Sequence, residues 1–263
     1  MLKRHSNSSC VLRRRTACNS PDGSVPDHRK HPGPHPEDEQ LFAGDNILRL
    51  RESASDLAWL FNRGYASTSA LKIVGDRYSL VARQRVAVAR CACSDEATKR
   101  RRRHQIPAAE LLGRDLWIDG YNVLTSLEAA LSGGVILHAQ DGCYRDMASM
   151  HGSYRKVAET IPALHILGDL MADWNVASCR WLLDQPVSNS GRLKTMLVEI
   201  AAERGWNWQA LLVPDPDRNL MATDHVVASA DSQILDSAER WFDLARSAIE
   251  LRVPDAWIVD LSK

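Results

Sequence analysis

The sequence predicts an α/β protein with a mostly parallel sheet, preceded by a small all-helical domain and a disordered N-terminal tail. Three observations carry this. From residue 115 onward, short apolar runs alternate with amphipathic helical stretches, the pattern of a parallel sheet covered on both faces. Residues 41–105 show only helical periodicity and are rich in arginine. Residues 1–40 are dominated by Pro, Ser, His and Arg and hold too few apolar residues to offset the entropy of ordering. The expected divisions are therefore a tail (1–40), a basic helical domain (41–105) and an α/β domain (106–263).

Within the tail, MLKRHSNSSCVLRRR has basic residues but no apolar stretch behind them, so it does not read as a secretory signal. No apolar run in the chain is long enough to span a bilayer, and the expected location is cytoplasmic. The histidines of HRKHPGPHPEDE (28–39) read as part of a solvated tail. The six cysteines are scattered; without an export signal they predict free thiols, and CAC (91–93) lacks the second Cys or His pair of a zinc site.

In the second segment, SASDLAWLFNRGY predicts a helix stopped by Gly64. STSALKIVGDRY predicts another, capped by Ser67 or Ser69 and closed by Gly75. SLVARQRVAVARCAC predicts a third. Arg77, Arg83, Arg85 and Arg90 spread around it, and KRRRR (99–103) follows in what reads as a linker. These cations are either a solvated face or a phosphate-binding surface, with Arg83, Arg90 and Arg100–Arg103 as the nucleic-acid contacts. Net charge supports a division of labour: +2 over 1–40, +7 over 41–105 and −9 over 106–263, for a total of zero.

In the third segment the expected strands are LWID (116–119), VILHA (135–139), CRWLLD (179–184), ALLVP (210–214), HVVAS (225–229) and AWIVDL (256–261). VILHA can instead belong to a hairpin or an edge. Helices are expected near 155–173, 190–204 and 232–251, with Gly205 ending the second.

Acidic residues stand where these strands end: Asp119 after LWI, Asp184 after CRWLL and Asp231 after HVVAS, with Asp236 five residues further on. Functional groups gather beyond the carboxyl ends of parallel strands, so neighbouring strands would bring these acids to one crevice. Gathered carboxylates repel, and a hard divalent cation such as Mg²⁺ or Mn²⁺ offsets the repulsion. Asp119, Asp184, Asp231 and Asp236 are the candidate ligands. Asn122 can orient a water or a phosphate oxygen, and Ser229 and Ser232 can bind phosphate at a helix start. Each has a structural alternative: Asp231 or Ser229 as a helix cap, Asp184 in an ordinary turn, Asp236 in a helix's first turn. No helix obviously begins beside Asp119, and Asp260 is a weaker candidate. The polar stretch SGGVILHAQDGCYRDMASMHGSYRK offers Arg145 and Arg155 for phosphates and His151 as a proton shuttle. SNSGRLK (188–194) adds Ser188 or Ser190 as a cap and Arg192 and Lys194 for an anion.

Two stretches carry a resemblance. NRGY, LKIVGDRY and RQRVAVAR, within about 50–95, resemble a short prokaryotic domain of unknown function. WIDGYNVL, EAALSGG, DGCYRD, HGSYR, LDQPVSNSGRLK and ADSQILD, within about 115–260, resemble its usual partner, a PIN/NYN-like domain. The resemblance implies a three-layer α/β fold, Mg²⁺ or Mn²⁺, and cleavage of RNA. It makes Asp119 the first acid, Asn122 the Asn after it, and Asp184 and Asp231 the later acids. The Glu that many PIN enzymes carry on a central helix has no clear equivalent; Asp146 and Asp169 are the candidates to replace it.

The expected function is a metal-dependent ribonuclease-like protein, with the helical domain holding the backbone and the α/β domain cleaving it. The alternatives are a nucleic-acid-binding or regulatory protein with a degenerate site, or a nucleotide- or phosphate-binding α/β protein. No GxxxxGK loop supports the last.

Overall fold

Alternation of side chains along the strands decides which face of the central sheet each one serves. Leu116, Ile118, Trp181 and Leu183 bury on one face, while Trp117, Leu182 and Val227 turn to the other. The structure, a computed structural model, describes residues 33–147, 154 and 156–263. Its main sheet has five strands: β1 (Asp115–Asp119), β4 (Ser178–Asp184), β5 (Trp208–Val213), β6 (Val226–Ala228) and β7 (Trp241–Phe242). They run in the order β5-β4-β1-β6-β7, every pair parallel. A second, three-stranded sheet orders β3 (Tyr144–Asp146), β2 (Ile136–His138) and β8 (Ile258–Asp260), with β2 antiparallel to β3 and parallel to β8.

The expected α/β class and mostly parallel sheet are therefore present. VILHA forms a hairpin, as one of its two readings had it. AWIVDL belongs with it in the small sheet rather than in the main one.

Helices cover both faces of the main sheet. On one side lie α6 (Gly120–Leu131), α7 (Thr160–Asp173), α8 (Ser190–Arg204) and α11 (Leu244–Arg252), around Trp181, Leu124, Leu127 and Leu167. On the other lie α9 (Pro216–Met221) and α10 (Ser232–Ser237), around Leu220, Ile234 and Trp241. Each such large side chain withdrawn from water contributes about 1.5–3 kcal/mol. The helix expected over 232–251 is divided. Its chain leaves helical geometry at Ala238 (ψ 131°), pairs Trp241 and Phe242 with β6, and re-enters a helix behind the Asp243 cap. Beside Asp119, where no helix was expected, α6 begins at once, because the Asp119 side chain caps it.

The N-terminal helices are α1 (Asp38–Leu41), α2 (Asp45–Phe61), α3 (Ser67–Arg77), α4 (Ala82–Cys91) and α5 (Asp95–His104). Gly64 follows α2 with φ +76°, as its sequence position implied. Gly75 does not close α3, which continues to Arg77 over the Arg85 guanidinium. Nor does Ser67 or Ser69 cap it: Ala66 holds the cap position, with no side-chain bond. Two further corrections matter more. The tail boundary at residue 40 falls inside α1, where Asp38 is fully buried and ion-paired with Arg83. The run KRRRR is no linker: Ser94 accepts from the Ala97 amide and starts α5, whose last turns the arginines fill. Residues 1–32 lie outside the described residues.

The helical segment has no core of its own. Phe42, Leu50, Leu57, Val74 and Val88 pack into one cluster with Val135, Leu137, Val259 and Leu261 of the small sheet. Among the described residues, no helix is long and apolar enough to cross a membrane.

Candidate active site

Because every strand of the main sheet runs the same way, their carboxyl ends open on one side. Reading across it, β5 leads to Asp215, the cap of α9, and to Asp217 in that helix's first turn, β4 delivers Asp184, β1 Asp119, and β6 Asp231. These five carboxylates, with Asp146, line a cavity of about 720 Å³.

The strand ends are stitched together by short polar contacts. Asp119 accepts from the Asn122 amide (3.5 Å) and, through Oδ2, from Ser229 Oγ (2.8 Å). Ser229 Oγ in turn accepts from the Asp231 amide (3.0 Å), and Asn122 Oδ1 accepts from the Ala230 amide (2.9 Å). Asn122 and Ser229 thus tie β1 to the loop after β6. Asp231 caps α10, accepting from the Gln233 and Ile234 amides (2.8 and 3.4 Å). Its structural and functional readings hold together, since a cap leaves carboxylate lone pairs unused. Gly120 lets α6 start hard against β4: a Cβ there would lie 2.9 Å from the Leu182 carbonyl and 2.5 Å from a Leu183 methyl.

Charge in the cavity is poorly offset. Burial pushes the Asp119 carboxyl up to about 7, and the charges of Asp217 and Asp231 add to the rise. The bonds from Ser229 and Asn122 oppose it. Asp217 is raised as well, by burial and then by Asp231, Asp215 and Asp184. Asp184 Oδ1 is buried with no hydrogen-bond partner among the described residues.

Asp119, Asn122, Asp184 and Asp231 therefore do converge. Other expected site residues do not belong there. Asp236 faces away, bonded to Arg101 Nε and Arg100 Nη2 (both 2.8 Å). Burial would raise its pKa, but the two guanidiniums hold it below the usual range. Arg145 reaches the cavity wall, yet it is buried and fully engaged. Its Nε donates to the Ala230 carbonyl (2.8 Å), and Nη1 and Nη2 grip Asp141 (2.9 and 2.7 Å). Between Arg145 and Arg101, Asp141 stays far below its ordinary pKa despite burial.

Ser190 is buried at the start of α8 and its Oγ donates to the Gln185 carbonyl (3.5 Å), while Arg192 is exposed on the same helix. Ser232 lines the cavity and accepts from Arg101 Nη1 (3.4 Å). Arg155 and His151 lie outside the described residues. Of the two candidates for the missing Glu, Asp146 lines the cavity, whereas Asp169 pairs with Arg204 (3.6 Å) on the outer helices.

The expected phosphate-binding arginines are largely committed elsewhere. Arg83 pairs with Asp38, and Arg90 with Asp146 (3.5 Å) at the cavity wall. Arg100 pairs with Asp236, and Arg102 donates to the Gln140 carbonyl (3.3 Å). Arg101 is buried between Asp141 (2.6 Å) and Asp236. Arg103 is exposed.

Asp215 and Asp217 were missed in the sequence, although ALLVPDPD bears the same signature as the other strand ends. Tyr121, next to Asn122, was missed because a tyrosine in an apolar helix reads as core.

Residues 108–247 match the family model described as a domain of unknown function (DUF5616), and residues 49–104 match a protein of unknown function (DUF434). The chain belongs to the DUF5616 family. It is 30% identical, over 205 residues, to the uncharacterized protein MJ0935 of Methanocaldococcus jannaschii, covering 77% of this chain and 98% of that relative. No solved structure matches it. The DUF434 model spans most of α2–α5 of this DUF5616 protein, and the DUF5616 model opens just before β1 and includes every carboxylate of the cavity.

Proposed function

We propose that the acidic cavity cleaves phosphodiester bonds of nucleic acid, RNA by preference, with Mg²⁺ or Mn²⁺, as the resemblance to PIN/NYN-like domains implies. The observation that carries this reading is the convergence of Asp119, Asp184 and Asp231 at parallel strand ends without a matching set of cations among the described residues. Asp119 is held at a pKa near neutrality, and Asp184 Oδ1 has no hydrogen-bond partner among the described residues. Both features fit a hard cation. Among the described residues no three acidic, His or Cys side chains are close enough to hold one directly. The fit is therefore to Mg²⁺ or Mn²⁺ held by one or two carboxylates and otherwise by water.

Asp119 and Asp184 would be the direct ligands, and Asp231 would hold the ion's water. When bound, the ion supplies Lewis acidity at the phosphate and charge neutralisation in the cavity. The chain supplies the rest. Beside the cation the Asp119 carboxyl would be held ionised, which relieves the repulsion that raises it in the empty cavity. Asn122 and Ser229 keep Asp119 and the β6 loop in register. The pairing of Arg83, Arg90, Arg100 and Arg101 with carboxylates weighs against a pure binding module, which would need those cations for phosphates.

The test is cleavage of a 5′-labelled single-stranded RNA by the full chain. Product should form with Mn²⁺ and disappear with EDTA or in Asp119→Asn. Equal cleavage in EDTA, or by the variant, would refute the proposal.

A further inference from the structure

The cavity wall carries a second buried polar atom with no partner in hydrogen-bond geometry among the described residues. Tyr121 is 8% exposed, lines the cavity, and packs its ring on Tyr154 (centroids 5.4 Å apart). Its hydroxyl is buried with no hydrogen-bond partner among the described residues. The neighbouring Ser190 hydroxyl gives its hydrogen to the Gln185 carbonyl (3.5 Å) and lies close enough to lower the phenol's pKa, but not in hydrogen-bond geometry with it. A phenol keeps its hydrogen at neutral pH, so Tyr121 is a donor. Asp184 Oδ1, also unpartnered, is an acceptor.

A donor and an acceptor left unmet on one wall call for a group that both accepts and donates. A carbonyl or phosphate oxygen meets the phenol but not the carboxylate; an ammonium does the reverse. A hydroxyl meets both. In RNA the 2′-hydroxyl sits on the carbon next to the one bearing the 3′-phosphate, so a backbone held at Asp119 brings it to this wall. The Asp184 carboxylate has lone pairs for both the cation and this hydroxyl.

We infer that Tyr121 and Asp184 form a ribose subsite: Tyr121 donates to the 2′-oxygen, Asp184 accepts the 2′-hydroxyl hydrogen, and the pair selects RNA over DNA. This rests on the phosphodiester reading above and adds the residue that decides the sugar.

The test is equilibrium binding to the full chain in Ca²⁺. Fluorescein-labelled hexauridylate and its 2′-deoxy counterpart are followed by anisotropy, for wild type and Tyr121→Phe. Wild type should prefer the ribo-oligomer by about tenfold, the worth of a hydrogen bond to a charged site. Tyr121→Phe should lose most of that preference while its affinity for the deoxy-oligomer is unchanged. Its melting temperature should be equal or higher, because the ring packing remains and an unsatisfied hydroxyl is gone.

Equal binding of the two oligomers by wild type would mean that an ordered water fills the subsite, and would overturn the inference. So would a preference that survives in the variant, or a variant that melts several degrees lower, since the hydroxyl would then have a structural partner. In these cases the nucleic-acid reading stands. If neither oligomer binds, that reading falls and the ribose subsite falls with it.

Discussion

Replacing Asp119 by Asn separates a functional carboxylate from a structural one through stability alone. Asparagine keeps the helix cap, since its oxygen can accept from the Asn122 amide in place of Oδ1, while its NH2, in place of Oδ2, can donate to the Ser229 hydroxyl oxygen. What it removes is the charge. A carboxyl whose pKa is 3.8 when unfolded and about 7 when folded is harder to ionise in the native state. The penalty is absent below pH 4, grows as pH rises, and is complete above 7. The full difference amounts to about 4 kcal/mol, and solvent entering the cavity leaves about 2–4 kcal/mol. At pH 8 without metal, Asp119→Asn should therefore melt higher than wild type, by roughly 4–16 °C for a chain of this size. At pH 4 the two should nearly coincide. Manganese should reverse the order of gains: wild type is stabilised by about 2.7 kcal/mol when free metal is a hundredfold above its dissociation constant, and the variant by much less. Thermal melts at pH 4 and 8, each with EDTA or Mn²⁺, read all of this without a substrate. A variant less stable than wild type at pH 8, with neither protein responding to metal, would refute the reasoning and leave Asp119 as a cap.

Three further outcomes follow from the same geometry. Asp236→Asn should leave the Mn²⁺-induced rise in melting temperature intact, because Asp236 answers Arg100 and Arg101; loss of the rise would return it to the metal site. Arg101→Ala should lower stability by about 3–5 kcal/mol in urea titrations, since it strands the buried Asp141 beside a single remaining guanidinium; a change within experimental error would show the run to be a solvated face after all. Gly120→Ala should cost about 1–3 kcal/mol by forcing α6 off β4, and an unchanged urea midpoint would mean that the contact with the Leu182 carbonyl yields freely.

The readable part of the site was the part written in local pattern. A strand end is marked by where an apolar run stops, so the pattern alone places Asp119, Asp184 and Asp231 there, and parallel topology then requires them to meet. The same rule applied to ALLVPDPD would have reached Asp215, with Pro216 as the first residue of the next helix. What local pattern does not contain is the partner of a charge. Arg101 meets Asp236 across 135 residues and Asp141 across 40, and nothing in KRRRR distinguishes the buried arginine from its exposed neighbours. The division of the last helix was hidden for a related reason. Trp241 and Phe242 continue a helical run of apolar residues, and it is pairing with β6 that makes them a strand.

The division of net charge along the chain now has a different meaning. A basic segment followed by an acidic one read as two modules, one facing a polyanion. In the folded chain the two halves answer each other. Arg51 bonds Asp260 (3.2 Å), Arg90 bonds Asp146, Arg100 bonds Asp236, and Arg101 bonds both Asp141 and Asp236. Behind these pairs, Trp241 Nε1 donates to the Arg101 carbonyl (2.7 Å), and a shared apolar core runs from α2 to β8. The +7 of the helical segment is thus largely an interface charge. The consequence falls on the cavity. Arginines that could have neutralised its rim are turned to Asp38, Asp141 and Asp236, so Asp119, Asp184, Asp217 and Asp231 face one another with little cationic relief. The repulsion that makes this site a candidate for a divalent cation is set by where the basic helices dock as much as by the aspartates themselves.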